Sequence, residues 1–363
     1  MPETPPTDPS ATQPDPAGGT DAARQPRFIL RDIFVGADGI RAGWSVILFF
    51  ALSLALTFAA GFIVHTLRNL HHGPASPAAT HAQPATPPDA SMGPGYVFRN
   101  EGVPFVGVLL ATWLMGKIER LPTAAYGFSP QRRMRNFFTG LAWGVALLSL
   151  LVVLLRATGL LVFDARLLSG GRVLGYGALW FGNFLVVGLL EELLSRGYLQ
   201  FTLTRGLSGL YRLRLGPKQA NVLGFWTAAL VLSFAFGYDH KANPGESPLG
   251  LLSAGLAGLL FCLSLWRTGS LWWAIGFHTS WDWAQSFLYG VADSGLMVKG
   301  RLFATHPVGR PYLSGGLTGP EGSLWMLPVM ACGVVVILLT LPRTNLGYRP
   351  AGAAQPLAAL DLP

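Results

Sequence analysis

The chain has 363 residues, of which 51% are hydrophobic and only 12% are charged. Soluble domains usually carry roughly twice that share of charged side chains, so the composition excludes an ordinary water-soluble protein and indicates a lipid-embedded one. The formal net charge is +8. Because most basic residues lie in loops between apolar segments, we attribute them to membrane topology and expect no nucleic-acid partner.

The N-terminal region precedes the first apolar segment. Residues 1–26 are rich in Pro, Thr, Asp and Ala and lack apolar periodicity. We therefore predict a disordered tail over residues 1–42. The first apolar run starts near Trp44, which is too far along the chain for an ordinary cleavable signal peptide.

Apolar segments long enough to cross about 30 Å of hydrocarbon follow this tail. They lie at 43–64, 102–118, 136–157, 174–195, 220–239, 249–267, 270–289 and 323–342. These segments predict an all-α fold, a polytopic transmembrane helical bundle with about eight spans. We divide the chain after the N-terminal tail into four regions. They are the N-terminal spans with a Pro/His-rich loop (43–134), a helical core (135–290), an outer loop with the last span (291–345) and a C-terminal tail (346–363).

A low-complexity segment at 66–99 connects the first two spans. Four histidines lie in or beside it: His65, His71, His72 and His81. A metal-binding tract is one interpretation. Their spacing is irregular and no Cys or carboxylate cluster accompanies them, so we favour a flexible loop.

Basic residues are divided unequally between the two sides of the predicted bundle. The side that holds both termini carries 17 of them: Arg24, Arg27, Arg31, Arg41, Lys117, Arg120, Arg132, Arg133, Arg135, Arg196, Arg205, Arg212, Arg214, Lys218, Arg267, Arg343 and Arg349. The other side carries nine: Arg68, Arg99, Arg156, Arg166, Arg172, Lys241, Lys299, Arg301 and Arg310. Since cytoplasmic loops are enriched in Lys and Arg, we expect cytoplasmic N- and C-termini, in a bacterial inner membrane.

The fourth span ends with two consecutive carboxylates, Glu191 and Glu192. A carboxylate near the middle of a membrane costs a few kcal/mol, even on the lenient insertion scale, so two in a row indicate a function. Glu192 and Arg196 are four residues apart, share a helix face and can form an ion pair. Glu191 points elsewhere. The simpler interpretation is that the helix ends here and both carboxylates meet water.

Two further spans carry ionisable residues with the same four-residue spacing. Phe236 and His240 share a face near the end of the fifth span, and His278 and Asp282 share a face inside the seventh. If these faces meet, the bundle encloses a set of Glu, His, His and Asp. Such a set can activate water by general-base catalysis and stabilise an oxyanion.

The same groups suit a divalent metal ion such as Zn²⁺, which binds carboxylate and imidazole ligands. Glu191, His240 and His278 are then the candidate ligands. The HExxH pattern of metalloproteases is absent from the sequence. We therefore expect no required cofactor and keep zinc as an alternative.

These residues resemble the three motifs of the CPBP family (CAAX proteases and bacteriocin-processing enzymes, or Abi family), which are EExxxR, FxxxH and HxxxN/D. Here they read Glu191-Glu192-Leu-Leu-Ser-Arg196, Phe236-Gly-Tyr-Asp-His240 and His278-Thr-Ser-Trp-Asp282. The resemblance covers roughly residues 135–290.

The resemblance implies an intramembrane endopeptidase of the glutamate type that cleaves a membrane-associated peptide or protein. Glu191 would be the general base and act with His240 on the attacking water, and His278 and Asp282 would shape the oxyanion site. Glu192 and Arg196 would brace the helix, with Phe236 in support. Asp282 departs from the Asn of the best-studied members, and three roles stay open for it: a protonated acid, a partner that orients His278, or a metal ligand.

Two other functions stay open, namely a non-catalytic scaffold or immunity-type relative and, less favoured, a transporter. For the peptidase we expect a cavity on the cytoplasmic side. For the three motifs to meet there, the fourth and fifth helices must extend beyond the bundle and turn near residue 215.

Overall fold

The computed structural model describes residues 31–36, 39–72 and 91–341. The predicted tail over 1–30, His81 and the C-terminal tail over 346–363 lie outside these residues. Residues 31–36 and 39–40 lie within the predicted disordered tail, but they include a short helix and two paired strands.

The described residues fold into a helical bundle with two small antiparallel sheets. Its helices are α1 (Arg31–Phe34), α2 (Ala42–His72), α3 (Pro94–Glu119), α4 (Arg133–Ala157), α5 (Gly171–Glu192), α6 (Gln200–Tyr211), α7 (Pro217–Asp239), α8 (Pro248–Thr268), α9 (Trp272–Asp282), α10 (Pro311–Ser314) and α11 (Met326–Thr340). Its strands are β1 (Val35–Gly36), β2 (Gly39–Ile40), β3 (Leu161–Arg166) and β4 (Phe303–Pro307). Strand β1 pairs with β2, and β3 pairs with β4.

Six helical segments of the described chain are long and apolar enough to cross a membrane. They are 42–71, 94–119, 133–157, 171–211, 217–242 and 248–268. The seventh predicted span corresponds to α9 with the π-helical turn that follows it, and the eighth corresponds to the shorter helix α11. The protein is therefore a polytopic integral membrane protein with the predicted all-α architecture.

Helix α2 extends beyond its predicted end, so the first part of the predicted loop is helical. Apolar residues thin out after Val64, but the chain has no Gly or Pro until Gly73 and Pro74, so the helix continues through His72. His65 and His71 are therefore helical, and His65 is hydrogen-bonded to Asn69.

Helix α9 is held against α4 by close backbone contact. A Cβ atom on Gly140 of α4 would lie 2.2 Å from the carbonyl oxygen of Trp273, and one on Gly276 of α9 would lie 2.2 Å from that of Phe137. Only glycine allows this approach, which is a common way to pack membrane helices. This contact positions the helix that carries His278 and Asp282.

The two ends of the bundle differ. At one end, which we call the terminal end, helices α2, α4, α7 and α9 begin and helices α3, α6, α8 and α11 end. Arg205 of α6 forms an ion pair with Glu119 of α3 there, at 2.8 Å. The opposite end, which we call the cavity end, contains β3, β4 and the loops over 290–325. The α6–α7 hairpin turns at residues 212–216, as the sequence predicted.

Candidate active site

Glu191 and Glu192 are the last residues of α5, directly before a π-helical segment, Leu193–Leu199. Such widened turns occur often at functional sites. The helix does not end in water at this point, because the chain remains helical to Tyr211 and Glu192 is fully buried. The interpretation that both carboxylates simply meet solvent is therefore wrong.

Glu192 and Arg196 form the predicted ion pair, with 3.0 Å between Oε1 and Nη1. Both side chains are buried, and the guanidinium carbon lies 4.2 Å from the centre of the Phe236 ring. A Cβ atom on Gly258 would lie 2.6 Å from Arg196 Nη2, so this glycine leaves room for the arginine. The first two motifs are thus joined by the contact between Arg196 and Phe236.

His278 contacts the first motif on both of its ring nitrogens. Nδ1 lies 3.1 Å from Glu192 Oε1 and donates to this carboxylate, while Nε2 lies 3.6 Å from Glu191 Oε2. Phe261 stacks on the ring at 5.4 Å. Glu192 therefore does more than brace its own helix, because it also sets the orientation of His278.

Asp282 lies one helical turn after His278, with Oδ2 at 3.5 Å from His278 Nε2. It is 8% exposed and is followed by a second π-helical segment, Trp283–Tyr289. Two carboxyl oxygens, from Glu191 and Asp282, thus face Nε2, an arrangement that favours a proton on this nitrogen.

His240 lies directly after the end of α7. Its Nδ1 is 2.8 Å from the carbonyl oxygen of Phe236. Because a carbonyl only accepts hydrogen bonds, Nδ1 carries a proton, and in the tautomer protonated at Nδ1 alone Nε2 is an acceptor. His240 lines the same cavity as Glu191, His278 and Asp282. All four predicted catalytic side chains are thus brought to one cavity.

This cavity has a volume of about 490 Å³ and lies between α3, α5, α7, α8 and α9. Its exposed lining residues are Tyr96 and Asn100 on α3 and Asp239 on α7, which mark the mouth. The mouth is at the cavity end of the bundle. The expectation of a cavity on the same side as the termini is therefore wrong, because α7 runs away from the terminal end and delivers His240 to the other one.

Four further carboxyl groups line the cavity, and the sequence motifs did not single them out as site residues: Glu101, Asp239, Asp293 and Glu321. The predicted second span starts at residue 102, but α3 begins earlier, at Pro94, and Glu101 lies inside it. An ionisable residue inside an apolar helix is the signal that identifies it.

Asp293 and Glu321 come from the loops at the cavity end. Ser286 donates to Asp293, and Gln285 and Ser294 donate to Glu321. Burial raises the pKa of both carboxyl groups above their ordinary values, and the nearby Asp282 raises that of Asp293 further. No sequence motif links these loops to the helices that carry the candidate site residues.

Among the described residues, no three His, Cys, Asp or Glu side chains are grouped to hold a metal ion. Within the proposed ligand set, His278 Nδ1 is engaged by Glu192 and His240 Nδ1 by a backbone carbonyl. A metal would therefore have to bind through the two Nε2 atoms.

The fold and the site define a class of protein, a polytopic membrane protein that encloses a Glu, His and Asp centre in a cavity. Residues 173–284 match the family model described as Type II CAAX prenyl endopeptidase Rce1-like. This match covers less than half of the chain but includes all three motifs, and it confirms the resemblance to the CPBP and CAAX protease family. No curated protein and no solved structure matches the chain.

Proposed function

We propose that the protein is an intramembrane endopeptidase that hydrolyses a peptide bond with water activated by Glu191. This proposal rests mainly on the surroundings of one atom, Glu191 Oε2. Among the described residues it has no hydrogen-bond partner, although it is buried and faces a cavity. An unpaired carboxylate oxygen beside a histidine is a suitable general base.

The remaining roles follow from the hydrogen bonds. His240 Nε2 accepts a hydrogen bond from the attacking water and orients it, because its Nδ1 is occupied by the Phe236 carbonyl. His278 Nε2 donates to the oxyanion that develops on the substrate carbonyl, since Nδ1 is held by Glu192. Asp282 holds the His278 ring in place. The proton taken by Glu191 passes to the leaving amine.

We further propose a bacterial inner membrane location with cytoplasmic termini. Arg196 is buried in the site and no longer counts as a loop residue, which leaves 16 basic residues on the terminal side against nine on the other. With this orientation the cavity end faces outwards. The substrate is then a membrane-associated peptide or protein reached from the outer side, which disfavours a substrate prenylated in the cytoplasm.

Cysteine labelling of intact cells tests the orientation. Leu317 at the cavity end and Leu213 at the terminal end are 77% and 78% exposed, so they form a matched pair. In a Cys332→Ala background, a membrane-impermeant maleimide should label Leu317→Cys in intact cells and Leu213→Cys only after permeabilisation. The reverse pattern would put the cavity in the cytoplasm.

A proteomic comparison of membranes carrying wild-type and Glu191→Ala protein tests the activity. We expect precursor peptides to accumulate in the variant. If the biological phenotype survives Glu191→Ala and no precursor accumulates, the scaffold function is favoured instead. Activity that is lost on chelation and restored by Zn²⁺ would support the zinc alternative, with Glu191, His240 and His278 as ligands.

A further inference from the structure

The cavity is lined by acidic side chains. Six carboxyl-bearing side chains line it: Glu101, Glu191, Asp239, Asp282, Asp293 and Glu321. Among the described residues that line it, none is Lys or Arg. The whole chain has 18 acidic residues and a net charge of +8. One third of the acidic residues thus lines a single cavity in a basic protein.

The catalytic steps use only part of this charge. Glu191 and Asp282 face His278, whereas Asp293 and Glu321 are hydrogen-bonded to the neutral side chains of Ser286, Ser294 and Gln285. Burying carboxyl groups without a cation is unfavourable. Their raised pKa values reflect this cost. A cationic ligand would offset it.

The cavity lining also contains an unused polar group. Ser253 of α8 lines the cavity and is 1% exposed, and its Oγ has no hydrogen-bond partner among the described residues. Such a hydroxyl can accept a hydrogen bond from an ammonium or guanidinium group. Together with the carboxyl groups of the lining, it can hold an organic cation.

We propose that the cavity binds a substrate segment that carries a Lys or Arg side chain, with Asp293 and Glu321 as the residues that determine this specificity. This inference rests on the proposed peptidase function, because it assigns the substrate class of the same site. Asp239 at the mouth attracts the cationic segment, and Asp293 and Glu321 hold its side chain.

Peptide binding tests the inference separately from cleavage. Purified full-length Glu191→Ala protein in detergent is titrated with fluorescein-labelled decapeptides that differ only in having Lys, Gln or Glu at three central positions. We expect the Lys peptide to bind at least tenfold more tightly than the Gln peptide and the Glu peptide to bind most weakly. Adding Asp293→Asn should weaken the Lys peptide about tenfold and leave the Gln peptide unchanged.

Two further variants guard against misfolding and general charge effects. Asp239→Asn alters an exposed residue and should also weaken the Lys peptide. Asp164→Asn is the matched control, since Asp164 is on β3 at the same end, has a 42% exposed side chain and does not line the cavity. It should change nothing.

Three outcomes would overturn the inference: equal binding of the three peptides, undetectable binding of the Lys peptide at millimolar concentration, or a Lys preference that Asp164→Asn reduces as much as Asp293→Asn does. Each leaves the peptidase function standing. The opposite result is also distinguishable. If the Lys peptide is preferred, but the wild-type protein cleaves neither these peptides nor any cellular precursor, the binding site is supported and the peptidase function is contradicted.

Discussion

His278 Nδ1 lies 3.1 Å from Glu192 Oε1, the same carboxylate oxygen that accepts a hydrogen bond from Arg196 at 3.0 Å. One buried oxygen thus joins the first motif to the third. Because Arg196 also packs on Phe236, the second motif is held by the same group. The Glu192–Arg196 pair is therefore the structural centre around which the candidate catalytic side chains are arranged.

The buried pair predicts a non-additive effect on stability. Arg196→Met alone leaves Glu192 buried without its cation and should lower the free energy of unfolding by about 3–5 kcal/mol. The double variant Arg196→Met with Glu192→Gln removes both charges and should recover part of this loss. Thermal unfolding in detergent measures both effects. Full additivity of the two single changes would contradict this account.

Asp282 should be replaceable by its amide but not by a small apolar residue. Asp282→Asn keeps the shape and can hydrogen-bond to both His278 and an oxyanion, so we expect activity at least equal to wild type. Asp282→Ala removes the contact and should lower kcat about 10²-fold, as loss of one oxyanion-site group does. If the Asn variant is as inactive as the Ala variant, the carboxylate itself is required.

The α4–α9 contact predicts that a single methyl group outside the cavity lowers activity. Gly276→Ala would place a carbon 2.2 Å from the Phe137 carbonyl, so α9 must shift and take His278 with it. A displacement of about 1 Å can cost about 10²-fold in rate. Gly182→Ala on α5 is the control, because nothing lies within 4 Å of its Cβ position.

The Gly182→Ala protein should be as active as wild type and at least as stable, since Ala favours a helix over Gly. Equal activity of the two variants would show that the α4–α9 contact does not position His278.

The sequence predicted the helices and two contacts within the candidate site because both depend on local patterns. Apolar runs indicate spans, and four-residue spacing places Glu192 with Arg196 and His278 with Asp282 on one face. Asp293 and Glu321 could not be predicted, because long loops bring them to the cavity without a periodic pattern. The side on which the cavity opens was predicted wrongly, because it depends on which end of the bundle brings the motif residues and the loops together, and no local pattern shows this.

Acidic conditions should weaken cation binding to the cavity. Burial raises the pKa of Asp293 and Glu321. As the pH falls through these raised values, both groups take up protons and the cavity loses negative charge. The Kd of the Lys peptide should therefore rise between pH 8 and pH 5, and the Gln peptide should change less. The groups that face this pair are Asp282, His278 and Glu246.

Stability without ligand should have the opposite pH dependence. A carboxyl group whose pKa is raised in the folded state stabilises the protein fully below its unfolded pKa, about 4, and this contribution is lost as the pH rises through the folded pKa. Thermal unfolding of the ligand-free protein should therefore occur at higher temperature at pH 5 than at pH 8, and Asp293→Asn should reduce the difference. If Asp293→Asn leaves this difference in unfolding temperature unchanged, other groups cause it.

The hydrolysis of a purified precursor tests the central claim most directly. A precursor that accumulates in Glu191→Ala membranes is incubated with purified wild-type, Glu191→Gln and Asp164→Asn proteins, and the products are identified by mass spectrometry. We predict one cleavage site, full activity for Asp164→Asn, and a loss of at least about 10²-fold in kcat for Glu191→Gln, since the amide cannot act as a base. Cleavage by Glu191→Gln at the wild-type rate would contradict the account.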